Sequence, residues 1–164
     1  MDAAAEARAR EHWLRRQAEE EGALAGVLAD LADGGVPVRL HLRAGGPYAG
    51  RVRAVGADLV AVAADGSRGS VAVVALAAVC SVRTGPAARP VTGDREVTSP
   101  LRLAEVLVGL AAEREPVRVV TVDGETVVGV ARSVGQDVVT LRTGSGAGTA
   151  YVPLAAVAAV VVGG

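Results

Sequence analysis

Residues 24–66, LAGVLADLADGGVPVRLHLRAGGPYAGRVRAVGADLVAVAADG, return 79 positions later as residues 103–145, LAEVLVGLAAEREPVRVVTVDGETVVGVARSVGQDVVTLRTGS. Roughly a third of the positions are identical without a gap, far more than unrelated windows share. The pairs include Leu24/Leu103, Val27/Val106, Leu28/Leu107, Leu31/Leu110, Pro37/Pro116, Arg39/Arg118, Gly50/Gly129, Arg53/Arg132, Gly56/Gly135 and Asp58/Asp137. One residue is dropped in a loop, and the match resumes with Leu76/Leu154, Ala77/Ala155, Val79/Val157 and Val82/Val160. This is an internal duplication. Each half then has one small architecture to explain, and every candidate functional residue has a twin against which it can be judged.

The hydrophobic period changes along each half. From Ala3 to about Asp33 the residues are Ala, Glu, Arg and Leu without proline, and Glu6/Arg10, Glu11/Arg15 and Arg16/Glu20 stand one helical turn apart, which predicts a helix. Its last third carries the stripe Leu24, Val27, Leu28 and Leu31, and Gly34-Gly35 before Pro37 ends it. Apolar residues then alternate with Arg39, His41 and Arg43, the mark of a half-buried strand. Glycine turns at Gly45-Gly46, Gly56 and Gly66 divide the rest of the first half into further strands, the last near Val79 to Val82 after Leu76-Ala77-Ala78. Residues 84–98 contain Gly85, Pro86, Pro90 and Gly93 with no period and read as a linker. Ser99-Pro100 predicts the start of a second helix, with serine as cap, and five more strands come after Pro116. The organisation expected is a helical extension over 1–23, a first repeat over 24–83, the linker, and a second repeat over 99–164.

The chain has 164 residues, half of them apolar and nearly all of those Val, Ala and Leu. Units of this size bury little surface alone, so the halves are expected to pack on each other or on other chains. Lysine is absent, so all basic residues are Arg, and a choice of Arg over Lys at any one site carries no meaning. The single Cys80 excludes an internal disulfide and suits a reducing cytoplasm. The apolar runs fall short of the roughly 20 residues that span a bilayer, so no membrane association is expected. Charge is uneven. Eight acids oppose four arginines before Val36, whereas between Pro37 and Arg83 six arginines (Arg39, Arg43, Arg51, Arg53, Arg68, Arg83) face only Asp58 and Asp65. From Pro116 onward the second repeat balances Arg118, Arg132 and Arg142 against Asp123, Glu125 and Asp137.

A short helix followed by five strands, with Asp123-Gly124, Gly129 and the apolar segments around a turn at Val134 to Leu141, resembles the Sm-like family, which includes the bacterial RNA chaperone Hfq. The first repeat carries the same frame in Gly45, Gly50 and Val55 to Val62. Similar glycine turns occur in other small barrels, including the PRC-barrel type, whose ending looks like Val152-Pro153-Leu154. The resemblance implies a mainly β fold with helices, built as two tandem Sm-like (SH3-like) five-stranded bent-sheet barrels, each preceded by an α-helix. It also implies homo-oligomers joined through barrel edge strands and, in many members, RNA binding. Where Sm proteins place an asparagine after the second strand this chain has Val60 and Val139, and where Hfq-like members place Lys-His it has Leu76-Ala77 and Leu154-Ala155. Such side chains neither hydrogen-bond a base nor neutralise a phosphate.

Nothing in the sequence has the spacing of a catalytic or metal site. His12 and His41 lack ligand partners, Asp58 and Asp137 each follow a glycine and are expected to shape turns, and Cys80 in its apolar run is expected to be inert. The glycine run at 143–149 lacks the Lys-Ser/Thr and the following helix of a phosphate loop and reads as a hairpin loop. No enzyme, cofactor or small-molecule substrate is expected. Arg39 and Arg43 on one strand and Arg51 and Arg53 on the next are expected to gather into a phosphate-gripping patch, with Arg118 and Arg132 as the twins of two of them. Trp13 and Leu14 are the large apolar residues of the N-terminal helix and the candidates for a protein contact. Two functions are expected: a non-enzymatic assembly protein associated with RNA through the arginine patch, or a protein-interaction scaffold that lacks the RNA pocket.

Overall fold

The computed structural model describes residues 2–66, 69–144 and 148–163; Arg68 and the centre of the glycine run at 143–149 lie outside them. Among the described residues three helices, α1 (Ala3–Glu20), α2 (Leu24–Asp33) and α3 (Leu103–Glu113), accompany ten strands. The strands are β1 (Pro37–Leu42), β2 (Tyr48–Val55), β3 (Leu59–Ala64), β4 (Val71–Ala75), β5 (Val79–Thr84), β6 (Pro116–Thr121), β7 (Thr126–Val134), β8 (Val138–Thr143), β9 (Gly148–Pro153) and β10 (Val157–Val162). A single 3-10 turn separates β4 from β5 and β9 from β10.

The helix expected over Ala3 to Asp33 is two helices. Ala23 is extended (φ −128°, ψ 155°), and its N–H donates to the Gly93 carbonyl of the linker at 2.9 Å, which breaks the helical ladder after Glu20. No residue of α1 is buried. In α2, Leu28 and Leu31 are buried, and Gly26 lies so close to the Gly93 carbonyl that a Cβ there would collide with backbone. The linker is therefore a strap across α2, tied by the Gly93 N–H to Asp30 at 3.0 Å and by Arg95 to Asp30 and Asp33.

The second helix starts later than Ser99-Pro100 suggests. Its cap residue is Arg102, and the side chain that serves its first turn comes from the other half: Asp58 Oδ1 accepts from the Leu103 N–H at 2.8 Å. Ser99 Oγ instead accepts from the Leu101 N–H, at 3.4 Å.

All ten strands form one antiparallel sheet in the order β5-β1-β2-β3-β4-β10-β6-β7-β8-β9. Two separate five-stranded barrels are not what the strand order gives. The sheet runs on through β4 and β10, where Val74 pairs with Ala159 and Val71 with Val162. Around that seam the pairings coincide position by position: Val38–Thr84 with Val117–Val162, Gly50–Ala64 with Gly129–Thr143, and Leu59–Ala75 with Val138–Pro153. The irregularities coincide too. Arg53 and Arg132 are the extra residues where β2 and β7 shift register, and Cys80 and Ala158 are those of β5 and β10. At Gly50 and Gly129 a Cβ would strike the carbonyl of Ala63 or Arg142, so only glycine allows these strands to approach.

The apolar residues form two clusters, joined by exchange across the seam. The first contains Leu28, Leu31, Leu40 and Val62 together with Val120, Ala159 and Val161 from the second half. The second contains Leu103, Leu107, Val139 and Leu141 together with Leu59 and Val73 from the first. Alternation along β4 sends Ala72 and Val74 to one cluster and Val73 to the other.

Candidate assembly edges and arginine faces

The terminal strands β5 and β9 have no outer partner among the described residues. They are the twins of β10 and β4, the two strands that pair at the seam. Unpaired N–H and C=O groups along such strands favour the addition of another strand. Tyr151, in the middle of β9, is 71% exposed, whereas its twin Val73 is buried in the seam.

The turns beside these strands repeat the contrast. In the first half the Ala57 N–H donates to the Leu101 carbonyl at 2.8 Å and Asp58 holds the start of α3, so Gly56 is buried. The twin turn Gly135-Gln136-Asp137 keeps the same internal bond, Gly135 N–H to Val138 carbonyl at 2.7 Å, but all three of its residues are exposed. At the opposite end of the sheet, α2 has no side-chain cap.

The strand register divides the expected arginine patch. Arg39 points outward between buried Val38 and Leu40, and Arg51, opposite Pro37, lies on the same face as its diagonal neighbour. Arg51 Nε donates to the Gly35 carbonyl at 3.1 Å. Arg43 follows the far end of β1 and Arg53 lies beyond its start, so the two are separated by roughly 25 Å at about 3.3 Å per residue. The residue directly opposite Arg39 is Arg83 on β5, which the sequence alone did not bring to the patch. His41 faces Ser81 two pairs along, and its Nε2 is buried without a hydrogen-bond partner among the described residues. No ion pair among the described residues involves Arg39, Arg51 or Arg83.

Arg118, the twin of Arg39, points outward from β6 beside the seam. There it lines a hollow of about 300 Å³ with Pro47, Tyr48 and Ser70. Burial pushes the Tyr48 phenol above its ordinary value, and the nearby Arg118 charge opposes that rise. Arg132 is exposed on the β7 bulge. Trp13 and Leu14 are 62% and 53% exposed on α1.

Cys80 is exposed at the β5 bulge rather than embedded, and lines a cavity of about 270 Å³ with Arg43, Ala77 and Ala155. Asp58 does more than shape its own turn, because its side chain reaches α3. Among the described residues no three His, Cys, Asp or Glu side chains group as metal ligands, and no helix is long and apolar enough to cross a membrane. No protein-family model, curated protein or solved structure matches the chain.

Proposed function

We propose that the chain is a non-enzymatic, Sm-like assembly module whose sheet is extended by further copies of itself, β9 of one copy pairing with β5 of the next. The observation that carries this reading is the β4–β10 seam, a contact between two halves whose twin strands, β9 and β5, each have an edge without a partner among the described residues. Transferred to the free edges, the seam register pairs Ser81 with Val152, Val82 with Tyr151, Arg83 with Ala150 and Thr84 with Thr149. The glycine-dependent approach at Gly50 and Gly129 and the coincident bulges support reading each half as one bent Sm-like unit.

The side chains make the new seam more polar than the internal one. His41, Ser81 and Arg83 stand where Val120, Ala159 and Val161 cross into the first cluster. Backbone pairing and the Tyr151 ring then supply most of the contact, and association is reversible with concentration. A head-to-tail contact of this type closes into a ring when its rotation permits and otherwise continues as a filament. Sedimentation velocity across a hundredfold range of concentration tests this. Growth of the mean mass supports the reading, and a strict monomer throughout contradicts it.

A second reading, association with RNA, is favoured by the Arg39–Arg83 pair. Like charges directly opposite on a sheet destabilise it, and an anion laid across them relieves that repulsion. With few aromatic residues available for stacking, the contact is with phosphates. RNA binding that falls steeply with salt and disappears in Arg39→Ala/Arg83→Ala supports it; no binding at low salt removes it.

A further inference from the structure

We propose that Arg114, Arg132 and Arg142 form a binding site for a small, multiply charged phosphate compound. The three side chains line a concavity of about 320 Å³ between the end of α3 and strands β7 and β8, with Ala111, Val130 and Ala131 as its apolar lining. No carboxylate contributes to that lining, and none of the three arginines is in an ion pair among the described residues. Three guanidinium groups around one hollow match the oxygen-rich, multiply charged surface of a phosphate compound.

The twin positions show that packing alone does not require this arrangement. In the first half the corresponding residues are Gly35, Arg53 and Ala63, so only one arginine remains, and Arg51 reaches across to the Gly35 carbonyl. In the second half Val130 replaces Arg51 and is too short to make that bridge, which leaves the hollow open. The backbone adds a further observation. Arg114 is left-handed (φ 53°, ψ 38°), the only described non-glycine residue with positive φ, at a position where the twin Gly35 (φ 61°) adopts the same region without a Cβ penalty. A strained arginine where glycine would serve is the kind of outlier found at ligand sites.

Calorimetric titration of the full chain with inorganic pyrophosphate tests the proposal, with single-stranded RNA as a separate titrant. Saturable pyrophosphate binding is expected, weakened about tenfold or more in Arg142→Ala and in Arg114→Gly, and unchanged in Arg16→Ala on α1. Arg114→Gly takes the twin's residue, so its thermal midpoint is expected not to fall, which separates loss of the ligand from loss of the fold. Absence of pyrophosphate binding, binding of RNA alone, equal binding in the variants, or a lowered midpoint for Arg114→Gly would each overturn the proposal. The outcome does not depend on whether copies of the chain associate.

Discussion

The turns Gly56-Ala57-Asp58 and Gly135-Gln136-Asp137 have the same internal hydrogen bond and the same aspartate, yet Gly56 is buried and Asp58 half-buried in the first, whereas all three residues of the second are exposed. Asp58 accepts from the Leu103 N–H of the following half; the Asp137 carboxylate accepts no hydrogen bond among the described residues. The same local structure is thus present twice and makes a contact with the other half once. The comparison teaches that a repeat's residue should be judged by what its twin touches, because two identical local structures can differ in their partners.

The largest effects test whether the two clusters, which exchange residues across the seam, unfold together. Leu28→Ala and Leu107→Ala each remove a fully buried leucine, and each is expected to cost about 2–5 kcal/mol. Denaturant unfolding followed by circular dichroism should show one shared transition in both variants. A transition split into two steps by either variant would show that the seam does not couple the halves.

The aspartates sharpen the comparison. Asp58→Ala removes the partner of the α3 N-terminus and is expected to lower unfolding stability by about 1 kcal/mol, as the loss of a helix cap does. Asp137→Ala is expected to leave the stability of the single chain within about 0.5 kcal/mol, as surface changes usually do. Under the proposed edge pairing it should weaken self-association, because the seam's arrangement would bring Asp137 to the uncapped start of α2 in the next copy. Equal losses of stability in the two variants would break the distinction.

A smaller effect marks the loop between β6 and β7. The Thr121 hydroxyl and the Glu125 N–H both donate to Asp123, holding its carboxyl below the ordinary value of 3.8. A depressed folded-state value contributes stability that is present above the unfolded-state value and lost as pH falls through the folded one. Asp123→Asn should therefore lower the thermal midpoint slightly at neutral pH, where the carboxylate contributes, and flatten part of the acid limb below about pH 4, so that the variant and the parent converge in strong acid. An unaltered acid limb would remove this contribution.

Much of the succession of strands along the chain was legible because twin glycines and alternating valines mark the same boundaries twice. The offset between the repeats also placed the shortened loop where the two halves differ, between β3 and β4 in one and β8 and β9 in the other. The break in the N-terminal helix was not legible. It depends on Gly93, distant in sequence, meeting Ala23. Nor was the seam, since pairing of β4 with β10 is a choice among strands of nearly uniform Val and Ala composition. Of the candidate site, the arginines themselves were visible but their grouping was not. Cross-strand register brings Arg83 opposite Arg39 and sends Arg43 to the far end, while the β7–β8 pairing sets Arg142 beside Arg132 and the packing of α3 adds Arg114.

Disulfide trapping of the proposed edge pairing is the most direct test. In a Cys80→Ala background, Ser81→Cys/Val152→Cys places thiols at the twins of Ala159 and Val74, which face each other at the seam. Ala159→Cys/Val74→Cys, expected to close within one chain, serves as the control. Mild oxidation should yield a ladder of covalently joined copies from the first pair, and none from the out-of-register Ser81→Cys/Thr149→Cys. Monomer alone from the first pair, under conditions where the control closes fully, would contradict the account.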